Sequence, residues 1–221
     1  MNNICYIVSA GDCTGINILK EENDIVIAAD GGLKYLEKAG VTPDVILGDF
    51  DSLGFKPEGA NVISYCPEKD DTDTMLAVKL GIEKGFKEFI IYGALGGRLD
   101  HTIANLTIIN YLSDQGCKCT VIDEHVIIRN VFSQNELCEN MTGGKMIAGK
   151  LTLDKKDAGT FSIFSLKDVA KGVSIVGAKY EVENITFTNN IPLGVSNEFV
   201  GKEVVVEVAD GQLIVMENIY L

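Results

Sequence analysis

The stretch VILGDFDS, Val45–Ser52, passes from a short apolar segment directly into a tip of aspartate and glycine. Three other stretches of the chain follow the same pattern: IVIAADGG (Ile25–Gly32), VISYCPEKDDTD (Val62–Asp73) and FIIYGALGGRLDH (Phe89–His101). Short apolar runs separated by helical patterns are typical of parallel strands buried on both faces. In such sheets the ligand crevice lies outside the carboxyl ends of the strands. The four tips therefore predict one crevice that gathers at least five carboxylates and an arginine.

Carboxylates crowded into one crevice repel one another, so a bound cation is expected, and a divalent metal is the simplest candidate. GDFDS places Asp49 and Asp51 two residues apart, and alternate residues leaving a strand project the same way. Both can therefore bind one hard cation. An ordinary Asp/Gly/Ser turn explains the motif equally well when it is considered alone. The tip ADGG, with Asp30 and Gly31, is weak evidence for a ligand site by itself, and it becomes informative only together with the other three tips.

The segment KDDTD, which ends at Asp73, marks the passage from a strand into a helix. Either Asp71 or Thr72 is a plausible N-cap, and acidic residues suit the positive end of the helix dipole. Capping explains one or two of the three aspartates in this segment and leaves at least one without a structural reason. Asp70 and Asp73 are one turn apart if the helix has begun and can both face the crevice. Lys69 is a natural phosphate partner beside them.

The segment GALGGRLDH carries the sharpest signal. Glycines such as Gly96 and Gly97 let a backbone approach a ligand closely, and the following helix N-terminus offers amides to phosphate. Arg98 can bind phosphate with two parallel hydrogen bonds, and Asp100 can bind metal or cap the helix. A plain loop rarely combines these features. His101 by itself is more often structural than catalytic.

Composition narrows the class of protein. The 221 residues carry a formal net charge of −13, which argues against nucleic acid or an acidic membrane as a partner. No apolar run approaches the roughly 20 residues that span a bilayer, and the N-terminus resembles a first strand more than a signal peptide. We therefore expect a cytoplasmic protein. Its six cysteines form no CxxC pair and are expected to be core thiols.

The periodicity of the chain changes near Asp123. Before it, strands alternate with helices, which predicts an α/β domain with a mostly parallel sheet over residues 1–123. After it, short β-branched and aromatic runs predict an all-β sandwich over residues 124–221. Within that half, PLGVSNEF is expected to be a polar loop between strands. Ser196 and Asn197 of this segment could hydrogen-bond a small heterocycle, although a simple turn is the default interpretation.

These motifs in this order resemble thiamine pyrophosphokinases, specifically the bacterial form. The resemblance rests on ADGG, TPDVILGDFDS, EKDDTD, GALGGRLDH followed after three residues by Asn, and GVSNE, and it spans nearly the whole chain. It implies an α/β domain that binds ATP and magnesium, and a β-sandwich that binds thiamine and forms a homodimer with active sites between subunits. It also implies transfer of a pyrophosphoryl group from ATP to the thiamine hydroxyl, giving thiamine diphosphate and AMP.

The resemblance also assigns roles to residues of this sequence. The expected catalytic groups are Asp49, Asp51, Asp73, Arg98 and Asp100, of which Asp49, Asp51 and Asp73 would hold the metal. The expected substrate- and cofactor-binding groups are Asp30, Gly31, Lys69, Asp70, Thr72, Gly96, Gly97, Arg98, Ser196 and Asn197. The hydroxyl of thiamine would attack the β-phosphorus in line, and an aspartate such as Asp73 would accept its proton.

One departure from the family concerns thiamine. Animal and fungal relatives stack thiamine on a tryptophan, and this chain contains none, so the pyrimidine must pack differently. Two other functions fit the same acidic tips. A metal-dependent phosphohydrolase would release phosphate without thiamine, and a nucleotide- or thiamine-binding sensor would bind without forming product.

Overall fold

The structure is a computed structural model that describes residues 3–50, 57, 61–65, 70–136 and 145–219. The chain divides into two compact units. The first contains Met1–Ile108 and Cys119–Glu124, and the second contains Ile109–Lys118 and His125–Leu221. The single boundary at residue 123 stays a prediction.

The first unit contains a sheet with strand order β6-β5-β1-β2-β3-β4. Its strands are β1 (Ile4–Val8), β2 (Ile25–Ala29), β3 (Val45–Gly48), β4 (Val62–Ser64), β5 (Glu88–Tyr92) and β6 (Lys118–Ile122). Its helices are α1 (Gly32–Ala39), α2 (Asp73–Glu83) and the part of α3 (Leu99–Asp114) up to residue 108. Strand β1 pairs in parallel with β2 and β5, and the pairs β2–β3 and β3–β4 are also parallel. The predicted α/β domain with a mostly parallel sheet is confirmed.

The apolar runs form these strands because they are buried. Ile7, Ile27, Leu47 and Phe89 are among the fully buried side chains of the unit. Of the expected core thiols, Cys5, Cys117 and Cys119 are buried and Cys13 is half-buried, whereas Cys66 and Cys138 lie outside the described residues. Burial raises the pKa of Cys5 well above the ordinary value. The parallel pairing places the carboxyl ends of β1, β2, β3 and β5 at one edge of the sheet.

The second unit is antiparallel. Strands β14, β11, β16 and β7 are adjacent in that order, and a separate sheet has the order β10-β15-β12-β13, with β8 and β9 forming a third pair. Their bounds are β7 (Val126–Phe132), β8 (Gln134–Glu136), β9 (Lys145–Ile147), β10 (Gly149–Lys156), β11 (Thr160–Phe164), β12 (Val169–Val176), β13 (Val182–Thr188), β14 (Gly194–Glu198), β15 (Lys202–Val208) and β16 (Gln212–Asn218).

The two larger sheets of this unit share one apolar core. Phe161 of β11 and Val215 of β16 belong to the same buried cluster as Val173 of β12 and Val206 of β15. The core therefore lies between two antiparallel sheets, as the predicted β-sandwich requires. Across the described ranges, no helix is long and apolar enough to cross a membrane.

Candidate active site

Three carboxylates meet at the carboxyl edge of the parallel sheet. Asp30 follows β2, Asp49 follows β3 and Asp73 is the first residue of α2. One side-chain oxygen from each lies within 4.8 Å of those from the other two, and all three residues are half-buried. The structure thus brings together three of the predicted acidic residues. Asp51 lies outside the described residues, and Asp70 is exposed and does not belong to the cluster.

The backbone around Asp30 makes this close approach possible. Asp30 itself has a φ of 47°, and its amide donates to the carbonyl of Leu47 at 2.8 Å. Gly48 has a φ of 151°, and a Cβ on it would lie 3.1 Å from Cα of Asp30. A side chain at position 48 would therefore be strained and would crowd Asp30. Gly48 is required for the packing of the two tips against each other.

The donor set fits a hard divalent cation. Oδ1 of Asp30 is buried, and none of the described groups donates a hydrogen bond to it. A buried carboxylate oxygen without a donor is costly, and two further carboxylates nearby add repulsion. Magnesium, which prefers oxygen ligands and often binds through one or two carboxylates, would relieve both costs.

A cavity of about 480 Å³ opens beside the cluster within the first unit. Its walls are the ends of β1, β2 and β5 and the first turns of α2 and α3. The predicted residues that line it are Asp30, Thr72, Asp73, Gly96, Gly97 and Arg98, and His101 joins them. Gly31, Asp49, Asp70 and Asp100 are not among its lining residues.

The glycine segment after β5 forms a tight turn along this cavity. Gly93, Gly96 and Gly97 have φ values of 64°, 77° and 59°. A Cβ on Gly93 would lie 2.4 Å from the carbonyl oxygen of Ser9, so the turn packs directly on the end of β1. Buried Asn105 of α3 donates its side-chain N–H to the carbonyl of Ala94 at 2.6 Å and anchors the turn from the other side.

Arg98 and Asp100 form a two-pronged ion pair at the start of α3. Nη2 of Arg98 lies 2.6 Å from Oδ2 of Asp100, and Nε donates to Oδ1 at 3.1 Å. The backbone N–H of His101 donates to the same Oδ1 at 3.0 Å. The guanidinium, helped by this amide, lowers the pKa of Asp100 to about 2, and Asp100 raises the pKa of Arg98. A phosphate bound by both prongs of Arg98 would have to replace Asp100.

At the start of α2, the residues of the KDDTD segment make different contacts. The hydroxyl of Thr72 accepts the N–H of Met75 at 3.2 Å, so Thr72 is the N-cap. Asp71 pairs with Lys79 at 2.6 Å. Asp73 is therefore the surplus aspartate that reaches the acidic cluster. Lys69 lies outside the described residues.

Sequence reasoning did not assign roles to four polar residues of the cavity wall. Ser9 and Asp12 follow β1, Thr74 follows Asp73, and Asn105 is the anchor described above. The hydroxyls of Ser9 and Thr74 are buried and lie 2.9 Å apart, which ties the end of β1 to the first turn of α2. The signal was available, because SAGD after the first apolar run is a fifth tip of the same kind.

The expected loop around Ser196 and Asn197 is wrong in one respect, because GVSNE forms strand β14. The strand pairs with β11 through a register shift, and Ser196 has a φ of 57°, so it is irregular at this point. Ser196 is exposed, and its N–H donates to the Ser162 hydroxyl at 3.1 Å.

Asn197 is buried in the second unit. Its Oδ1 accepts the N–H groups of Tyr180 and Glu198, and its Nδ2 donates to the carbonyl of Tyr180. Three of the four hydrogen-bonding positions of the amide are thus used within the protein. Its predicted contact with a heterocycle stays a prediction.

Two family models match the chain in tandem. The model described as thiamin pyrophosphokinase, catalytic domain, matches residues 16–121. The model described as thiamin pyrophosphokinase, vitamin B1 binding domain, matches residues 150–213. The order of the two matches is that of the α/β and all-β halves.

Named relatives agree with these models. Thiamine pyrophosphokinase of Bacillus subtilis is 26% identical over 214 residues, covering 94% of this chain and 92% of the relative. Thiamin pyrophosphokinase 1 of Caenorhabditis elegans is 27% identical over 188 residues, covering 80% and 72%. The crystal structure of the Bacillus subtilis protein shares the fold, with a TM-score of 0.80 and 24% identity over 99% of this chain and all of that one.

Proposed function

This chain belongs to the thiamin pyrophosphokinase family, and on that premise we propose how its own residues carry out the reaction. The enzyme transfers a pyrophosphoryl group from ATP to the hydroxyl of thiamine, giving thiamine diphosphate and AMP. The tandem match of both family models carries this conclusion. A phosphohydrolase or a sensor without catalysis is not favoured.

The proposed metal site consists of Asp30, Asp49 and Asp73. Its support is the convergence of three half-buried carboxylates within 4.8 Å and the buried Oδ1 of Asp30. A bound Mg²⁺ would neutralise charge on the triphosphate. Asp51 stays a predicted fourth member. Magnesium itself is a proposal for this chain.

The proposed triphosphate site lies along the glycine turn of the 480 Å³ cavity. Gly96 and Gly97 expose backbone where a phosphate can approach, and the N-terminus of α3 follows, a position that favours bound anions. Arg98 supplies a positive charge at the cavity wall. We propose that Arg98 exchanges Asp100 for a phosphate oxygen pair, since both side chains are largely exposed and can move. Lys69 stays a predicted second phosphate partner.

The chemistry needs positioning and charge neutralisation more than covalent catalysis. The thiamine oxygen forms a bond to the β-phosphorus of ATP while the bond from that phosphorus to the oxygen bridging to AMP breaks. The hydroxyl proton passes to a carboxylate, and AMP leaves with the bonding electrons. We propose that the acceptor is Asp30 or Asp73, the two carboxylates that belong to the acidic cluster and also line the cavity.

Thiamine binding and assembly are proposed for the second unit, which matches the vitamin B1 binding model. Ser196 is the better candidate for a ligand contact, because it is exposed whereas Asn197 is occupied within the fold. The unit also exposes Ile191, Leu193 and Val195 to 59%, 58% and 49%. Clustered exposed apolar side chains are typical of interfaces, which supports a homodimer. Active sites between subunits and residence in the cytoplasm stay predictions.

Product analysis tests the proposal. The enzyme mixed with ATP, MgCl₂ and thiamine is expected to form AMP and thiamine diphosphate in equal amounts. ADP as the product would contradict pyrophosphoryl transfer, and phosphate released without thiamine would favour a hydrolase. Asp49→Asn should abolish turnover, whereas Asp168→Asn, an exposed aspartate of the second unit, serves as the matched control. Normal turnover in Asp49→Asn would remove the metal role.

A further inference from the structure

Asp12 touches the glycine turn of the active site from a distant part of the chain. Its Oδ2 accepts the N–H of Gly97 at 2.9 Å, a contact between residues 85 positions apart. Its own N–H donates to the carbonyl of Leu95 at 2.9 Å. The residue is exposed at the cavity wall. None of the roles described above uses this carboxylate.

The glycine turn needs an external restraint. Gly96 and Gly97 both have positive φ, and two consecutive glycines have the widest conformational freedom of any dipeptide. Backbone hydrogen bonds from Gly11 to Gly93 and from Asp12 to Leu95 attach the beginning of the turn to the end of β1. The side chain of Asp12 extends this attachment by two residues, to the position directly before Arg98.

Asp12 and Gly96 also fit each other sterically. A Cβ on Gly96 would lie 2.3 Å from Oδ2 of Asp12 and 2.7 Å from its Cγ. The carboxylate therefore occupies the space that any side chain at position 96 would need. The turn and the aspartate form one packed unit in which the absence of a side chain on Gly96 has a structural reason.

We infer that Asp12 is a positioning residue for the transfer reaction. Its carboxylate holds Gly96 and Gly97 in their left-handed conformations and so fixes the point from which Arg98 leaves the turn. The inference rests on the proposed phosphate contact of Arg98. The useful property of Asp12 is its hydrogen-bond acceptor, because a negative charge beside a bound triphosphate would only repel it.

Steady-state kinetics with three variants tests this role. Asp12→Ala removes the acceptor and is expected to lower kcat/KM for ATP about tenfold, the effect of losing one hydrogen bond. Asp12→Asn keeps an oxygen acceptor without the charge and is expected to restore most of that loss. In an Arg98→Ala background, Asp12→Ala should add less than about twofold, because the two residues act through one contact.

A matched control separates positioning from stability. Asp24 also accepts backbone N–H groups, from Ile4 at 2.7 Å and Glu21 at 2.9 Å, and these contacts lie at the amino ends of β1 and β2. Asp24→Ala is expected to lower Tm without changing KM for ATP. Asp12→Ala should instead change the kinetics with ATP and leave Tm nearly unchanged.

The outcomes distinguish the inference from its premise. Unchanged kinetics in Arg98→Ala would remove the phosphate contact of Arg98 and this inference with it. A loss in Arg98→Ala without a loss in Asp12→Ala would overturn the inference alone. It would also be overturned by an Asp12→Asn enzyme as impaired as Asp12→Ala, because the charge would then be the property that matters.

Discussion

Asp30→Asn should make the metal-free protein more stable while it removes the metal response. The oxygens of Asp30, Asp49 and Asp73 lie within 4.8 Å of one another. At that separation Coulomb repulsion between two unit charges is about 3.5 kcal/mol at an effective dielectric constant of 20 and about 0.9 kcal/mol in bulk water. The side chains are half-buried, and Asp30 takes part in two such pairs. After allowance for lost hydration, we expect the free energy of unfolding to rise by about 1–2 kcal/mol.

The substitution is well matched to its site. Asp30 has a φ of 47°, a conformation that asparagine adopts as readily as aspartate, so no new backbone strain is introduced. The shape of the side chain is also conserved. A change in stability therefore reports the charge and not the packing.

Urea denaturation followed by circular dichroism, in EDTA and then in MgCl₂, provides the measurement. The wild type should gain about 2.7 kcal/mol when Mg²⁺ is present at a hundred times its Kd, and Asp30→Asn should lose most of that gain. Asp70→Asn is the control, since Asp70 is exposed and outside the cluster, and should change stability by less than about 0.5 kcal/mol. A destabilised Asp30→Asn in EDTA, or a wild type indifferent to Mg²⁺, would refute the reasoning.

Three further substitutions test other parts of the structure. Arg98 holds the pKa of Asp100 at about 2, so their ion pair persists above that pH and is lost as pH falls through it. In Arg98→Ala the midpoint of an NMR titration of the Asp100 carboxyl should move back toward 3.8, and an unmoved midpoint would contradict the pairing. Thr72→Ala removes the N-cap of α2 and should cost about 1 kcal/mol in urea denaturation, whereas Thr72→Ser should cost much less, and equal losses would argue against capping. In the second unit the buried carboxylate of Glu217 forms ion pairs with Arg129 and Lys156, which are 30% and 34% exposed. Glu217→Gln removes the charge that both cations face and should lower the free energy of unfolding by about 1–3 kcal/mol, less than for fully buried pairs, and an unchanged urea midpoint would show that these pairs contribute nothing.

The sequence predicted the acidic crevice through a simple geometric rule. Asp30 and Asp49 follow two apolar runs, and parallel strands end at the same edge of a sheet, so their meeting required only that both runs be strands. The surplus of aspartates over capping positions pointed to Asp70 and Asp73 alike, of which Asp73 joins the cluster and Asp70 does not, and of the two N-cap candidates Thr72 is the cap. The β-sandwich followed from the loss of helical periodicity. The strand at Ser196 was missed because a glycine- and asparagine-containing segment with a register shift has the composition of a turn.

By itself, the sequence determined the class of each unit and the candidates for the acidic cluster, because these depend on local periodicity and on the residues directly after each strand; the structure selected Asp30, Asp49 and Asp73 from them and left Asp70 outside. Only the tertiary structure decided which tips became neighbours. Asp12 meets Gly97 because β1 lies beside β5 in the sheet, and Ser9 meets Thr74 because α2 packs against β1. An apolar run is compatible with many neighbours, so strand order is fixed by packing of the whole sheet and not by any segment. The contacts that hold the site in place therefore depend on the whole fold and not on any single segment.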